Sequence, residues 1–233
     1  MTASRMRILV HWAVLVSLLT AGLSIHGGKA EALSPSVRVS VSSSGAEAND
    51  GSLRASISAD GRYVAFESGA DNLVSGDTNG APDIFVHDRL TGETTRASLG
   101  AGGAQANGGS YRAAISGDGR YVGFLSGADN LVSGDTNNMD DAFVHDRQTG
   151  NTVRVSVSSA GEQGNDQTDH YLALSANGRF AVFCSDATNL VDGDNNARVD
   201  VFVHDLLTGQ TERVNVSSDE AEANASGWDP SIS

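Results

Sequence analysis

From residue 52 onward, short runs rich in apolar, β-branched and aromatic residues alternate with polar clusters of Gly, Asp, Asn and Thr. That layout predicts antiparallel strands joined by turns. Leu53 to Ser58 reads as one strand, Arg62 to Ser68 as a second, Asp83 to Asp88 as a third and Thr94 to Leu99 as a fourth. Between the first two, Asp60-Gly61 supplies two positive-φ residues for a tight hairpin. A long polar loop runs from Gly69 to Pro82, Leu90-Thr91-Gly92-Glu93 turns the chain again, and a Gly/Ala-rich linker runs from Gly100 to Gly109. Past residue 32 no helical 3.6-residue period is found.

The same four-strand pattern returns along the chain. Ser58-Ala59-Asp60-Gly61-Arg62-Tyr63 recurs as Ser116-Gly117-Asp118-Gly119-Arg120-Tyr121 and as Ser175-Ala176-Asn177-Gly178-Arg179-Phe180, at spacings of 58 and 59 residues. Ser68 to Asn79 is identical to Ser126 to Asn137, and Phe-Val-His-Asp occurs three times, ending at Asp88, Asp146 and Asp205. A fixed period of this length is the mark of a repeat architecture. The expected division is residues 52–109, 110–168 and 169–226 for three complete units, with 33–51 holding the last strand of a partial unit and 227–233 a first strand. Four short strands per unit describe a β-propeller blade. The fold class expected is therefore all-β, with three blades making an incomplete ring. Either the chain is part of a longer propeller, or two copies associate as a homodimer toward a six- or seven-bladed ring.

The motifs S-x-D-G-R-Y-V-A-F, D-I-F-V-H-D and T-G-x-T-x-R resemble the TolB-type propeller repeat over residues 36 to 233. Departures are Ser-Ala or Ser-Gly where that repeat has Ser-Pro, and a longer loop between the second and third strands. The resemblance implies a propeller that binds partners or gates access. It implies no single activity, because one fold hosts many functions.

The first residues change the picture of where the chain works. Arg5 and Arg7 precede an apolar run from Ile8 to Leu23, and Ala30-Glu31-Ala32 follows, the order of a secretory signal peptide over residues 1–32. About 20 apolar residues are needed to span a bilayer, more than this run supplies. The expected location is periplasmic or secreted, with no membrane segment after cleavage. Removing Arg5, Arg7, Lys29 and Glu31 with that segment leaves 12 basic and 28 acidic side chains, a formal charge of −16. A nucleic acid, which needs a basic footprint, is excluded as a natural partner. Cys184, the one cysteine, forms no internal disulfide.

The candidate chemistry lies in the long loops. Asp77, Asn79 and Asp83 recur as Asp135, Asn137 and Asp141 and as Asp194, Asn196 and Asp200. Carboxylate and amide oxygens at positions 1, 3 and 7 of a turning loop are what a hard cation such as Ca²⁺ recruits. The loops lack the Gly at position 6 and the Glu at position 12 of an EF-hand, and Asp and Asn also cap turns on their own account. His87, His145 and His204 occupy one repeated strand position and are expected to pack between blades instead of forming a metal ring. Arg62, Arg120 and Arg179 are expected to pair with nearby acids. The nucleophile motif G-x-S-x-G is absent. The function expected is a non-catalytic, calcium-stabilised binding module for a protein or glycan; the alternative is a lyase or hydrolase acting on polysaccharide in a central channel.

Overall fold

A computed structural model describes residues 36–168, 171–219 and 221–233; the expected signal peptide lies outside them. Twelve strands follow in order: β1 Ser52–Ile57, β2 Tyr63–Ser68, β3 Asp83–Asp88, β4 Thr94–Arg96, β5 Ser110–Ile115, β6 Tyr121–Ser126, β7 Asp141–Asp146, β8 Asn151–Arg154, β9 Leu172–Leu174, β10 Phe180–Ser185, β11 Asp200–Asp205 and β12 Thr211–Arg213. They form three four-stranded antiparallel sheets, each made of consecutive strands in the order of the chain. These are propeller blades. Three are fewer than the roughly four to eight that close a ring. No helix among the described residues is long and apolar enough to cross a membrane.

The central strands explain why the sequence reads as it does. β2 and β3 pair over six residues, from Tyr63 opposite Asp88 to Ser68 opposite Asp83, and β6 with β7 and β10 with β11 repeat that register. Each middle strand is covered on both faces, so Val64, Ala65 and Phe66 are all buried. Between the first and second sheets lie Ala65, Ile84, Val86, Ile115, Val122, Phe124 and Phe143. Between the second and third lie Ala114, Leu125, Val144, Leu174, Phe183 and Phe202. Cys184 is buried beside Val182 and Val201 as a small apolar side chain. The first sheet's outer face is less covered: Ile57 is 56% exposed, whereas the equivalent Ile115 is 8% exposed.

Two local expectations need correction. The Asp60-Gly61 hairpin has one positive φ, at Gly61 (71°), not two. Gly61 N–H donates to Ser58 O at 2.9 Å, and the Asp60 carboxylate accepts from Ser58 Oγ at 2.6 Å and Arg62 N–H at 2.9 Å. The longer turn therefore uses the glycine for the left-handed position and the aspartate as its clasp. The segment after β4 is also more than a linker. It folds back so that Leu99 bridges Gln105, and the same bridge joins Val41 to Glu47, Val157 to Gln163 and Val216 to Glu222.

Candidate functional site

In all three units the long loop returns its two aspartates to one place, and the fourth strand delivers an arginine between them. Arg96 Nη2 lies 3.1 Å from Asp77 Oδ2 and its Nε lies 3.3 Å from Asp83 Oδ2, with all three side chains at most 7% exposed. Arg154 stands 3.4 Å from Asp135 and 3.2 Å from Asp141, and Arg213 stands 3.5 Å from Asp194 and 3.3 Å from Asp200. The folded-back turn adds a second partner. Gln105 Nε2 donates to Asp77 Oδ1 at 2.8 Å and Asp83 Oδ2 at 3.0 Å; Gln163 Nε2 donates to Asp135 Oδ1 at 2.9 Å and Asp141 Oδ2 at 2.8 Å. The loop asparagine braces this arrangement: Asn79 Nδ2 donates to Ala106 O at 2.9 Å, and its Oδ1 accepts from Ala81 N–H at 3.0 Å. Asn137 and Asn196 do the same against Gly164 O and Ala223 O, each at 3.0 Å.

Of the nine residues singled out as calcium ligands, the six aspartates are thus brought together in pairs about a guanidinium of the chain itself, and the three asparagines brace the loops through backbone groups. Burial pushes the carboxyls of Asp83 and Asp141 up, against hydrogen bonds from Ser98 with Gln105 and from Ser156 with Gln163, and against the arginine charge. The third unit is different because Glu222 stands where the others have glutamine. Glu222 Oε1 accepts from Asn195 N–H at 2.9 Å, Asn196 N–H at 3.2 Å and Arg213 Nη1 at 2.7 Å. The backbone donor of Asn195 first, with help from Arg213, lowers the Glu222 carboxyl. The facing Asp194 is pushed up to about 6 by burial and then by the charge of Asp200.

The repeated arginines after the Gly turn pair locally. Arg62 Nε and Nη2 reach both oxygens of Asp88 at 2.9 and 2.6 Å, and Arg120 with Asp146 and Arg179 with Asp205 repeat this fork. The guanidinium holds each of these aspartates well below the usual carboxylate range. The histidines serve the joints between units. His87, His145 and His204 place Nδ1 2.9 Å from Thr94, Thr152 and Thr211 Oγ1. Each threonine hydroxyl donates in turn to a carbonyl of the preceding turn, Val41, Leu99 and Val157. The hydroxyl proton is thereby spent, so the imidazole donates from Nδ1.

Burial pulls all three imidazoles below their ordinary 6.5. The unfolded chain then binds more protons than the folded one as the pH drops. Stability is expected to be intact above about pH 6.5, the ordinary histidine value, and to be lost as the pH falls toward the depressed folded values. Urea midpoints between pH 7.5 and 5.5 should show this slope, and His145→Gln should flatten it; a midpoint constant across that range refutes the assignment.

Loops and turns are also stitched to one another across the units. Asn130 Oδ1 accepts from Asn107 N–H at 3.0 Å while its Nδ2 donates to Gln105 O at 2.8 Å, tying the second loop to the first turn. Asn72 does the same toward Asn49 and Glu47, and Asn189 toward Asn165 and Gln163. With Gln105 and Gln163 reaching the loop on their other side, the hydrogen bonds run as a continuous series of turn, loop, turn and loop along one edge. Asn130→Ala is expected to destabilise the chain by about 0.5–1.5 kcal/mol per hydrogen bond lost, because these bonds are exposed and water takes up the freed backbone groups. A change under a few tenths in thermal denaturation counts against the stitching.

Sequence reasoning did not single out Arg96, Arg154 and Arg213, nor Gln105, Gln163 and Glu222. Their signal is present: in each unit the second follows the first by nine residues, as Glu47 follows Arg38. No protein-family description and no curated protein matches the chain. Solved structures similar to it include TolB from Acinetobacter baumannii, at 18% identity and a TM-score of 0.44 over 74% of this chain and 34% of that one. The putative TolB from Agrobacterium tumefaciens gives 20% identity and 0.44 over 76% and 54%. An oligogalacturonate lyase from Vibrio parahaemolyticus gives 13% and 0.40 over 67% and 37%. The chain thus spans about a third to a half of these proteins' length.

Proposed function

We propose that this chain is an exported, non-catalytic binding module that presents its stitched edge to a protein or glycan partner. The observation that supports it is the continuous series of asparagine-braced turns and loops. A surface fixed in advance loses little entropy when a partner is bound. The buried carboxylates of the first two loops support it as well: Asp83 and Asp141 are committed to Arg96 and Arg154, which suits a scaffold better than acid-base chemistry. The surface offered consists of exposed small polar side chains such as Ser75 and Thr78, and Ser133 and Thr136 one unit on.

The test is a panel of neutral and acidic polysaccharides, run as affinity electrophoresis and as a reducing-end assay on the same samples. Retardation by at least one polysaccharide without release of ends is expected, and the double variant Ser75→Arg, Ser133→Arg should weaken it more than tenfold. Turnover of any member of the panel overturns the reading in favour of an enzyme. Binding that ignores the double variant moves the site off this edge.

A further inference from the structure

The three arginine-centred loops share one plan, and the third departs from it in two residues: Asn215 donates to Asp200 where Ser98 and Ser156 donate to Asp83 and Asp141, and Glu222 replaces Gln105 and Gln163. In the first two units, Asp77 Oδ1 and Asp135 Oδ1 each accept a hydrogen bond from a glutamine Nε2. In the third, Glu222 has no nitrogen to offer, and Asp194 Oδ1 is left buried with no hydrogen-bond donor, in a side chain only 2% exposed. Arg213 Nη1 lies 3.5 Å from that oxygen, an ion-pair distance without hydrogen-bond geometry. The orphan oxygen does not stand alone. Asp194, Asp200 and Glu222 bring one carboxylate oxygen each to within 4.8 Å of one another, the one such group found among the described residues.

Charge separates this loop from its two copies. Arg96 and Arg154 each face two carboxylates and a neutral amide, whereas Arg213 faces three carboxylates. A net charge of about −2 in a largely buried cluster is costly to maintain unless a cation shares it. Arg213 Nη1 lies 3.5, 3.3 and 2.7 Å from oxygens of Asp194, Asp200 and Glu222 and offsets one of their three charges; a divalent metal, which takes lone pairs from hard oxygens and would bind beside the unpartnered Asp194 Oδ1, offsets the rest.

We propose that the third loop alone is a divalent-cation site, ligated by Asp194, Asp200 and Glu222, with Ca²⁺ as the ion its all-oxygen donor set suits. Asn196 helps to shape the loop without ligating, since its Oδ1 is engaged by Arg198 N–H at 2.7 Å and its Nδ2 by Ala223 O at 3.0 Å. In the first two loops Arg96 and Arg154, backed by glutamine, face two carboxylates each, and no second cation is called for. One position, glutamine or glutamate nine residues after the arginine, decides which loop takes a metal. The proposal is independent of whether the stitched edge binds a partner.

The experiment is calcium titration by calorimetry and equilibrium dialysis on the metal-stripped chain. One equivalent is expected, with a Kd on the order of 10⁻⁴ to 10⁻³ M, the range of extracellular calcium modules, because Arg213 offsets part of the ligand charge. Glu222→Gln should remove that equivalent and leave the fold intact, since the other two units already carry glutamine there. The gain-of-site variants Gln105→Glu and Gln163→Glu should each add one equivalent. Absence of binding at millimolar calcium, binding that survives Glu222→Gln, or three equivalents in the unaltered chain overturns the proposal.

Discussion

Arg154→Ala is expected to cost the fold roughly 3–5 kcal/mol, because it strands two buried carboxylates rather than merely deleting one contact. The side chains of Arg154, Asp135 and Asp141 are 9%, 4% and 0% exposed, so water is in no position to replace the guanidinium. Gln163 still donates to both aspartates, but an amide brings no charge. For a chain of this length the loss corresponds to a drop of roughly 6–20 °C in Tm. The pH dependence gives a sharper signature. Burial already pushes the Asp141 carboxyl above its ordinary value, and losing the arginine raises it further. A carboxyl raised in the folded state favours folding when protonated, so the deficit relative to the unaltered chain should be largest at neutral pH and shrink as the pH falls. Adding Asp141→Asn to Arg154→Ala should recover much of the stability at pH 7. A deficit under about 1 kcal/mol, or one that grows toward acid, would mean that the cluster is held by its hydrogen bonds and not by charge.

That cluster also marks where reading the sequence reached its limit. The strands were legible because short apolar-rich runs, such as Tyr63 to Phe66 and Ile84 to Val86, are bounded by turn residues. The third strand was read as Asp83 to Asp88, its observed extent. The loop aspartates were legible as a recurring group because Asp77, Asn79 and Asp83 lie close together in sequence. Their partner was not, because Arg96 lies on β4, 13 residues beyond Asp83, and Gln105 lies beyond it again, on a turn expected to be only a linker. Only the register of β3 against β4, with Phe85 opposite Arg96, carries the guanidinium back to the start of β3 and the loop. A local pattern of oxygens therefore suggested a cation without showing that the chain supplies one. The histidines were legible as packing residues from their shared face with Phe85, Phe143 and Phe202. Their threonine partners depended on cross-strand pairing, such as His87 opposite Thr94.

Phe143→Ala is expected to be comparably damaging, at about 3–5 kcal/mol, and to change how the chain unfolds as well as how easily. Phe143 is fully buried and its ring centroid lies 5.9 Å from that of Phe124, in a cluster that includes Ala65, Ile84 and Val86 of the first sheet. The pair therefore forms the joint between two blades. In a repeat array, stability is a sum of unit terms and nearest-neighbour interface terms, and cooperativity comes from the interfaces. Weakening one should let the first blade unfold ahead of the others, so that a single urea transition broadens or splits. Phe85→Ala is the matched control. Phe85 is as deeply buried and pairs with Phe66 at 6.0 Å, but its cluster is built from Ala70 and Leu73 of its own unit, with Ala48 and Val74 beside it. Its loss should lower the midpoint while leaving one transition. Tyrosine fluorescence and far-ultraviolet circular dichroism, followed together, distinguish the two variants: diverging curves for Phe143→Ala with coincident curves for Phe85→Ala are expected. Coincident curves of unchanged slope for both would mean that the blades unfold as one unit whatever joins them, and that the joint is not where cooperativity resides.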